Sequence, residues 1–335
     1  MVICLSSTLT MTIRVIFRAV KIEGALAPYD TATLKIYYLA KPTGCEMEQM
    51  SGLIPADAAK APFPVVVFMP EVNVGSEAYH WLAVRLAEQG LVVVTYILVA
   101  EEMPGFINLT PGVDMESVKP ENYGNGPTGT AVSPILSALN DLNSDGILAG
   151  LLALDKIILG GHSAGGTIAL QNGHPDWFPA IKAVFSYGAH TKASTMLGYE
   201  PGTILPLVAN MPTLLIGGTC DGVIEASGIR YDAEASPTAA IERTFAEAMP
   251  GGQNDSYLVL LDGANHFTIV NPIDETTGRP FLDHPAAQNE DELRDCLVDL
   301  ISLFIKAHVL NKTSAKNSLL EEIEKKPFIY RSECK

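Results

Sequence analysis

The chain has 335 residues, 47% hydrophobic and 18% charged, with a formal net charge of −16. Such a composition supports a large buried core. The negative charge argues against nucleic acid, anionic membrane surfaces and electrostatic recruitment of acidic substrates. No segment repeats at a fixed period, which excludes solenoids and arrays. The length would allow two domains, but chains of this size that alternate strands and helices commonly form one.

The N-terminus lacks the basic start and apolar core of a secretory signal, and Arg14 and Arg18 interrupt any membrane span, so no integral span is expected. Residues 1–10 fit no element, which makes Met11 a candidate start. Arg14 to Ile22 and Thr33 to Leu39 read as two antiparallel strands joined across Pro28-Tyr29-Asp30. Residues 41–62 form a polar connection. Strand and helix patterns then alternate: strand Val65 to Met69, helix Ala78 to Gln89, strand Leu91 to Ile97. Apolar runs separated by helix-length segments imply a mostly parallel sheet covered on both faces. Residues 100–130 are rich in Gly, Pro and Asn. So long a loop, ahead of a helix starting near Ala131, is expected to act as a cap or cleft wall, with Phe106 in the pocket. Leu293, Leu297, Leu300, Ile301 and Phe304 form a helical stripe aimed at one sheet face. The tail from 310 to 335 is charged and expected to be peripheral, as are residues 1–11.

The most informative feature is Gly161-His162-Ser163-Ala164-Gly165. It follows the apolar run Lys156 to Gly160 and precedes the apolar segment Thr167 to Leu170. Strand, sharp turn and helix with a serine at the apex are the context in which G-x-S-x-G marks a nucleophile elbow. Small residues on both sides are required because a side chain there would crowd the neighbouring strand or helix. The hydroxyl emerges at a helix N-terminus, where developing negative charge is favoured.

A serine hydroxyl needs a base and an orienting acid. Asp221 lies in the turn after the strand pattern Met211 to Gly218. His266 lies in the turn after Tyr257 to Leu261. Ser163, Asp221 and His266 therefore follow three strands in the order expected of this elbow. Glu225 is a rival acid lying further into its turn, and Asp262 is expected to cap its own turn. His162 is expected to pack beside the nucleophile and His174 to sit in a loop. His80, His284 and His308 have no evident chemical company. His190 follows the strand Ala183 to Tyr187 and is a candidate pocket residue, because functional sites gather at strand C-termini in open α/β sheets.

On these residues the chain resembles an α/β-hydrolase, and within that fold the branch of chlorophyllases, cutinase-like polyester hydrolases, platelet-activating-factor acetylhydrolases and dienelactone hydrolases. Phe63 to Pro70, the elbow through Gly166, Pro212 to Gly222 and Leu261 to Phe267 carry the likeness. It covers residues 12–309 as one domain, with 100–130 and 190–211 as candidate cap or cleft segments. The resemblance implies a mostly parallel central sheet with antiparallel N-terminal strands. It also implies an oxyanion hole from the Ala164 N–H and a second donor near Val72. The sequence there reads Pro70-Glu71-Val72, an acidic residue where the family often has glycine. Ala189 stands where polyester hydrolases often carry an aromatic, which would widen the cleft beside His190. Phe267 is a further pocket candidate. Met196, Leu197, Ile204 and Leu205 could form the opposite wall.

The resemblance implies hydrolysis of a hydrophobic carboxylic ester through an acyl-enzyme. The elbow Gly-His-Ser-x-Gly-Gly and the long C-terminal apolar helix favour a chlorophyllase-like member that releases phytol from chlorophyll. A general esterase, a polyester or lipid-ester hydrolase and an acyltransferase would use the same triad. A non-catalytic ligand-binding protein on this fold has no need to retain all three residues. No cofactor is expected. Gly124 to Gly129 matches G-x-G-x-x-G, but no strand precedes it and Pro127 removes an N–H. No H-E-x-x-H or paired-cysteine spacing points to zinc. Five cysteines, odd in number and scattered, suggest free thiols, a reducing compartment and a cytoplasmic setting.

Overall fold

The computed structural model describes residues 12–103, 105–207, 211–228 and 235–335; the stretch 1–11 lies outside the described residues. Its strands are β1 (Thr12–Lys21), β2 (Thr31–Ala40), β3 (Phe63–Met69), β4 (Val92–Met103), β5 (Phe106–Leu109), β6 (Leu152–His162), β7 (Ile181–Tyr187), β8 (Thr213–Gly218), β9 (Ser256–Leu261) and β10 (Ile329–Cys334). They form one ten-stranded sheet in the order β1-β2-β4-β3-β6-β7-β8-β9-β10, with β5 pairing back on β4. From β4 to β9 every neighbour pair is parallel, whereas β1, β2, β5 and β10 join antiparallel.

The helices are α1 (Glu46–Ser51), α2 (His80–Glu88), α3 (Val132–Ser144), α4 (Ala164–Asn172), α5 (Gly222–Ser227), α6 (Ala239–Arg243), α7 (Glu290–His308) and α8 (Thr313–Lys325). Every residue of β3 is buried, and its side chains alternate between two cores, as the period of two requires. Val65, Val67 and Met69 join one core, together with Ile135 and Leu139 of α3 and Ile168 and Leu170 of α4. Val66 and Phe68 join the other, with Leu82 and Leu86 of α2 and Leu297, Ile301 and Phe304 of α7. A strand buried on both faces must be apolar throughout, which explains why β3 reads Phe-Pro-Val-Val-Val-Phe-Met. The expected stripe of α7 is buried along its whole length, from Leu293 to Phe304.

Two segments differ from expectation. The stretch 310–335 is not a loose periphery. Leu319 and Ile323 of α8 are buried, and β10 pairs antiparallel with β9. Its charge sits on an amphipathic helix and an edge strand, both of which need polar outer faces. The segment 100–130 begins as a continuation of β4 that turns back through β5, leaving Phe106 and Ile107 exposed. Val-Thr-Tyr-Ile-Leu-Val reads as a strand ending near its last apolar residue, but the hairpin partner extends it. The rest of the segment is tied to the 190–211 segment. Tyr123 donates to the Pro206 carbonyl at 3.0 Å, and Tyr199 donates to the Val118 carbonyl at 3.1 Å.

The Gly124–Gly129 turn is spent internally. The Thr128 and Gly129 amides donate to Asn172 Oδ1 at 3.1 and 3.3 Å, and Thr128 bonds to Gln171. Those amides face helix α4 and not a phosphate. No helix among the described residues is long and apolar enough to cross a membrane. Cys45, Cys220, Cys296 and Cys334 are free thiols.

Candidate active site

The turn after β6 places Ser163 at the N-terminal boundary of α4 with φ 52° and ψ −117°, a conformation that non-glycine residues adopt only under constraint. The constraint is visible at both flanking glycines. A Cβ at Gly161 would lie 2.4 Å from the Gly165 backbone, and one at Gly165 would lie 2.3 Å from the Met69 carbonyl oxygen and 2.4 Å from that of Pro70. The elbow is therefore packed against the turn after β3. Its amide is anchored as well, since the Ser163 N–H donates to the Tyr187 carbonyl at 2.9 Å. Ala164 opens α4, so its N–H has no partner within the helix and is free to serve an anion.

Asp221 and His266 meet as the strand order requires. Asp221 Oδ1 accepts from the Ile224 N–H at 2.8 Å, which fixes the carboxylate at the start of α5. Its Oδ2 lies 2.8 Å from His266 Nδ1, with both groups fully buried. His266 opens a short 3₁₀ turn held by a capping box between Asn265 and Thr268. The two turns are clamped together by Asp283, which accepts from the Gly222 N–H at 2.9 Å and the Phe267 N–H at 3.1 Å. Burial, then the nearby Asp221 carboxylate, raises the pKa of Asp283.

The other ring nitrogen of His266 does not bond to Ser163. Its Nε2 lies 3.0 Å from Oε2 of Glu71, a carboxylate only 3% exposed, in the turn after β3. Arg279 lies 3.4 Å from the other oxygen of Glu71 and also donates to Ser227 at 3.3 Å. The imidazole is thus held between two carboxylates. Burial works against its charged form, but Asp221 and then Glu71 outweigh it and raise the ring's pKa to about 10. For Glu71, burial opposes ionisation, and the hydrogen bond and charge of His266 overcome it, holding the carboxyl at about 2. The motif geometry predicts a serine–histidine contact; Glu71, directly after Pro70, occupies that place on the ring instead.

A cleft of about 350 Å³ opens over this constellation. Ser163, Ala164, Val72, Ala189 and His190, all expected near the site, line it together with Glu71, Asn73, Lys192 and Arg279. His190 accepts from the Lys192 N–H at Nδ1, 3.1 Å away. Burial, then the charges of Lys192 and His266, lower its pKa to about 4, so the ring is neutral.

Two expected pocket residues lie elsewhere. Phe106 is on the exposed β4–β5 hairpin, and no described residue of 100–130 is among those lining the cleft. Phe267 stands behind the imidazoles, edge-on to His266 at 5.3 Å and to His162 at 6.0 Å between ring centroids. Met196 is 80% exposed, and of the 190–211 segment His190 and Lys192 contribute to the lining.

The remaining candidates sort cleanly. Glu225 pairs with His284 at 2.5 Å and not with His266. Asp262 accepts from Gln288 at 3.3 Å. His80 and His308 each meet a tyrosine hydroxyl, on Tyr37 and Tyr257, and His174 stacks on Trp177. His162 is buried, with its Nδ1 3.0 Å from the Tyr79 hydroxyl. Burial, then the charge on His266, lowers its pKa to about 3. Glu71, Arg279, Asp283 and Tyr79 join the site with no motif to mark them; in the sequence Glu71 stands out as an acidic residue directly after the apolar run and Pro70.

The chain matches no family model and no curated protein.

Proposed function

We propose that the protein is a serine-dependent carboxylic ester hydrolase of the α/β-hydrolase fold, acting through an acyl-enzyme on Ser163. The observation that carries this reading is the strained backbone of Ser163 at a strand–turn–helix apex, exposed to a cleft and backed by a buried Asp221–His266 pair. A sheet ordered β1-β2-β4-β3-β6-β7-β8-β9, with serine, acid and base after β6, β8 and β9, supports the same fold.

Turnover requires the proton held between Nε2 of His266 and Glu71 to be lost to solvent and Glu71 to leave the ring, so that the freed nitrogen can take the proton from Ser163 as it attacks the ester carbonyl. Asp221 holds the ring's tautomer and stabilises its charged form. The Ala164 N–H and a donor near Val72 receive the oxyanion, and each such donor is worth about 10²–10³ in rate. His266 then protonates the leaving alcohol and activates water for deacylation. An alcohol in place of water would make the same site an acyltransferase.

The cleft supports a compact, polar ester over a phytyl tetrapyrrole. Its volume is about 350 Å³ and its lining includes Glu71, Asn73, Lys192 and Arg279, whereas a chlorophyll needs a large apolar surface. The test is the wild type and Ser163→Ala with a fluorophosphonate probe, with p-nitrophenyl acetate, butyrate and palmitate, and with chlorophyll a. Labelling and short-ester turnover that vanish in the variant are expected. A wild type that neither labels nor turns over any ester would overturn the proposal, and phytol release would restore the chlorophyllase-like reading.

A further inference from the structure

We infer that Glu71, His162 and His266 form a binding site for a zinc-class divalent ion, and that the ion silences the esterase by capturing its base. One ligand atom from each of the three buried residues lies within 4.8 Å of the others. Zinc–nitrogen and zinc–oxygen bonds of about 2.0–2.2 Å require these atoms to draw closer. Ion binding therefore requires the three side chains to rotate towards one another.

Two further observations point to a ligand. Nε2 of His162 is buried with no hydrogen-bond partner, which leaves a polar atom desolvated without compensation. In addition, the opposite atom of each would-be ligand is already held by a neighbour. His266 Nδ1 meets Asp221 at 2.8 Å, His162 Nδ1 meets the Tyr79 hydroxyl at 3.0 Å, and the second oxygen of Glu71 meets Arg279 at 3.4 Å. Carboxylate or hydroxyl partners behind ligating imidazoles are what orient them and set their tautomers at metal centres. Tyr79 also accepts the Glu71 N–H at 3.1 Å, so one hydroxyl ties two of the three ligands together.

Two imidazoles and one carboxylate form a mixed nitrogen–oxygen set. Such a set suits zinc and its neighbours, whereas magnesium and calcium prefer all-oxygen shells. Three protein ligands leave one position open, and Glu71 gives it a route to the cleft. The proton balance is simple. The proton shared between Nε2 of His266 and Glu71 is lost to solvent. Binding through Nε2 requires the single proton of His162 to sit on Nδ1, with the Tyr79 oxygen accepting it. With Nε2 of His266 on the ion, nothing remains to deprotonate Ser163. The binding half stands on the three ligands alone; the inhibitory half rests on the proposed esterase.

The experiment titrates the chelator-treated full chain with Zn²⁺ by calorimetry in two buffers of different ionisation enthalpy, with Co²⁺ absorption as a second readout. Ester turnover is followed in parallel, each protein being compared with its own metal-free rate. One ion per chain and proton release are expected. Affinity should fall about tenfold or more in His162→Asn, and likewise in Glu71→Gln should the first variant not fold. No saturable binding by the wild type overturns the site. So does equal affinity in a folded His162→Asn, or affinity lost only in His284→Ala, which would place the ion on the surface Glu225–His284 pair. Ion binding that depends on His162 in a protein without ester turnover keeps the site and removes the inhibitory half.

Discussion

The turns after β3 and β6 lie against one another, yet they treat their functional side chains in opposite ways. After β6 the backbone is strained and Ser163 is left open to the cleft, with no hydrogen-bond partner for its Oγ among the described residues. After β3 the left-handed backbone falls at Asn73, with φ 60°, and Glu71 two positions before it is almost wholly buried and bonded at both carboxylate oxygens. One turn spends conformational energy to display a hydroxyl. The other uses an ion pair to hold His266 away from it. On the proposed function, the difference teaches that the nucleophile is prepared in advance while the base is withheld, and that Glu71 decides when the two meet.

The largest effect that would break this contrast is expected at the acid behind the base. Asp221→Asn should lower kcat by about 10⁴, because the ring loses its tautomer and the support for its charge; steady-state kinetics on a short ester checks this. A fall of less than about tenfold would mean that Asp221 does not orient the ring for catalysis.

Next comes the contact between the turns. Gly165→Ala drives a methyl into the carbonyls of Met69 and Pro70, and backbone cannot yield as a flexible side chain can. A loss of about 1–3 kcal/mol is expected from the urea midpoint, with turnover falling because both turns shift.

The contrast is sharpened by pH. Glu71→Gln removes one of the two charges that raise the His266 pKa, so the acid limb of kcat/KM should move to lower pH. The rate in that limb gains about tenfold for each unit by which the ring's pKa falls. Stability should change in the corresponding sense. A histidine raised from 6.5 to about 10 stabilises the fold fully below its unfolded value and loses that contribution as pH rises through about 10. Thermal midpoints of the wild type should therefore drop between pH 7 and 10.5, and the drop should be smaller in Glu71→Gln.

The smallest effect is expected at the exposed hairpin. Phe106→Ser should change stability by less than about 0.5 kcal/mol and leave kcat/KM unaltered, since the side chain is 60% exposed. A large loss of activity there would bring the hairpin back into the substrate cleft.

Much of the molecule was legible in the sequence because it is encoded locally. The strand alternation of β3, the stripe of α7 and the Gly-His-Ser-Ala-Gly turn each follow from residues within one or two turns of chain. The order Ser163, Asp221, His266 was legible because each follows an apolar run. What was not legible depends on which distant loops meet. Glu71 reaches His266 across 195 positions and Arg279 across 208, and no periodicity carries that information. The grouping of Glu71 and His266 with His162 escaped for the same reason, since short ligand spacings are the only metal signal a linear reading offers. The packing of the tail from 310 is not legible because its charge resembles that of a periphery, although an amphipathic helix and an edge strand carry charge on one side by necessity.

The pairing of β10 with β9 has a consequence for handling the protein. Strand β9 reads Ser-Tyr-Leu-Val-Leu-Leu, an uncharged, β-prone hexamer of the kind that templates intermolecular assembly when its backbone is left unpaired. Residues 329–334 act as its gatekeeper, with Arg331 and Glu333 on the outer strand. Proteolysis or truncation near Lys326 would leave the turns that carry Ser163, Asp221 and His266 in place and yet open the β9 edge to self-association, so loss of the proposed activity in such a fragment would begin with assembly of the chain and not with its site.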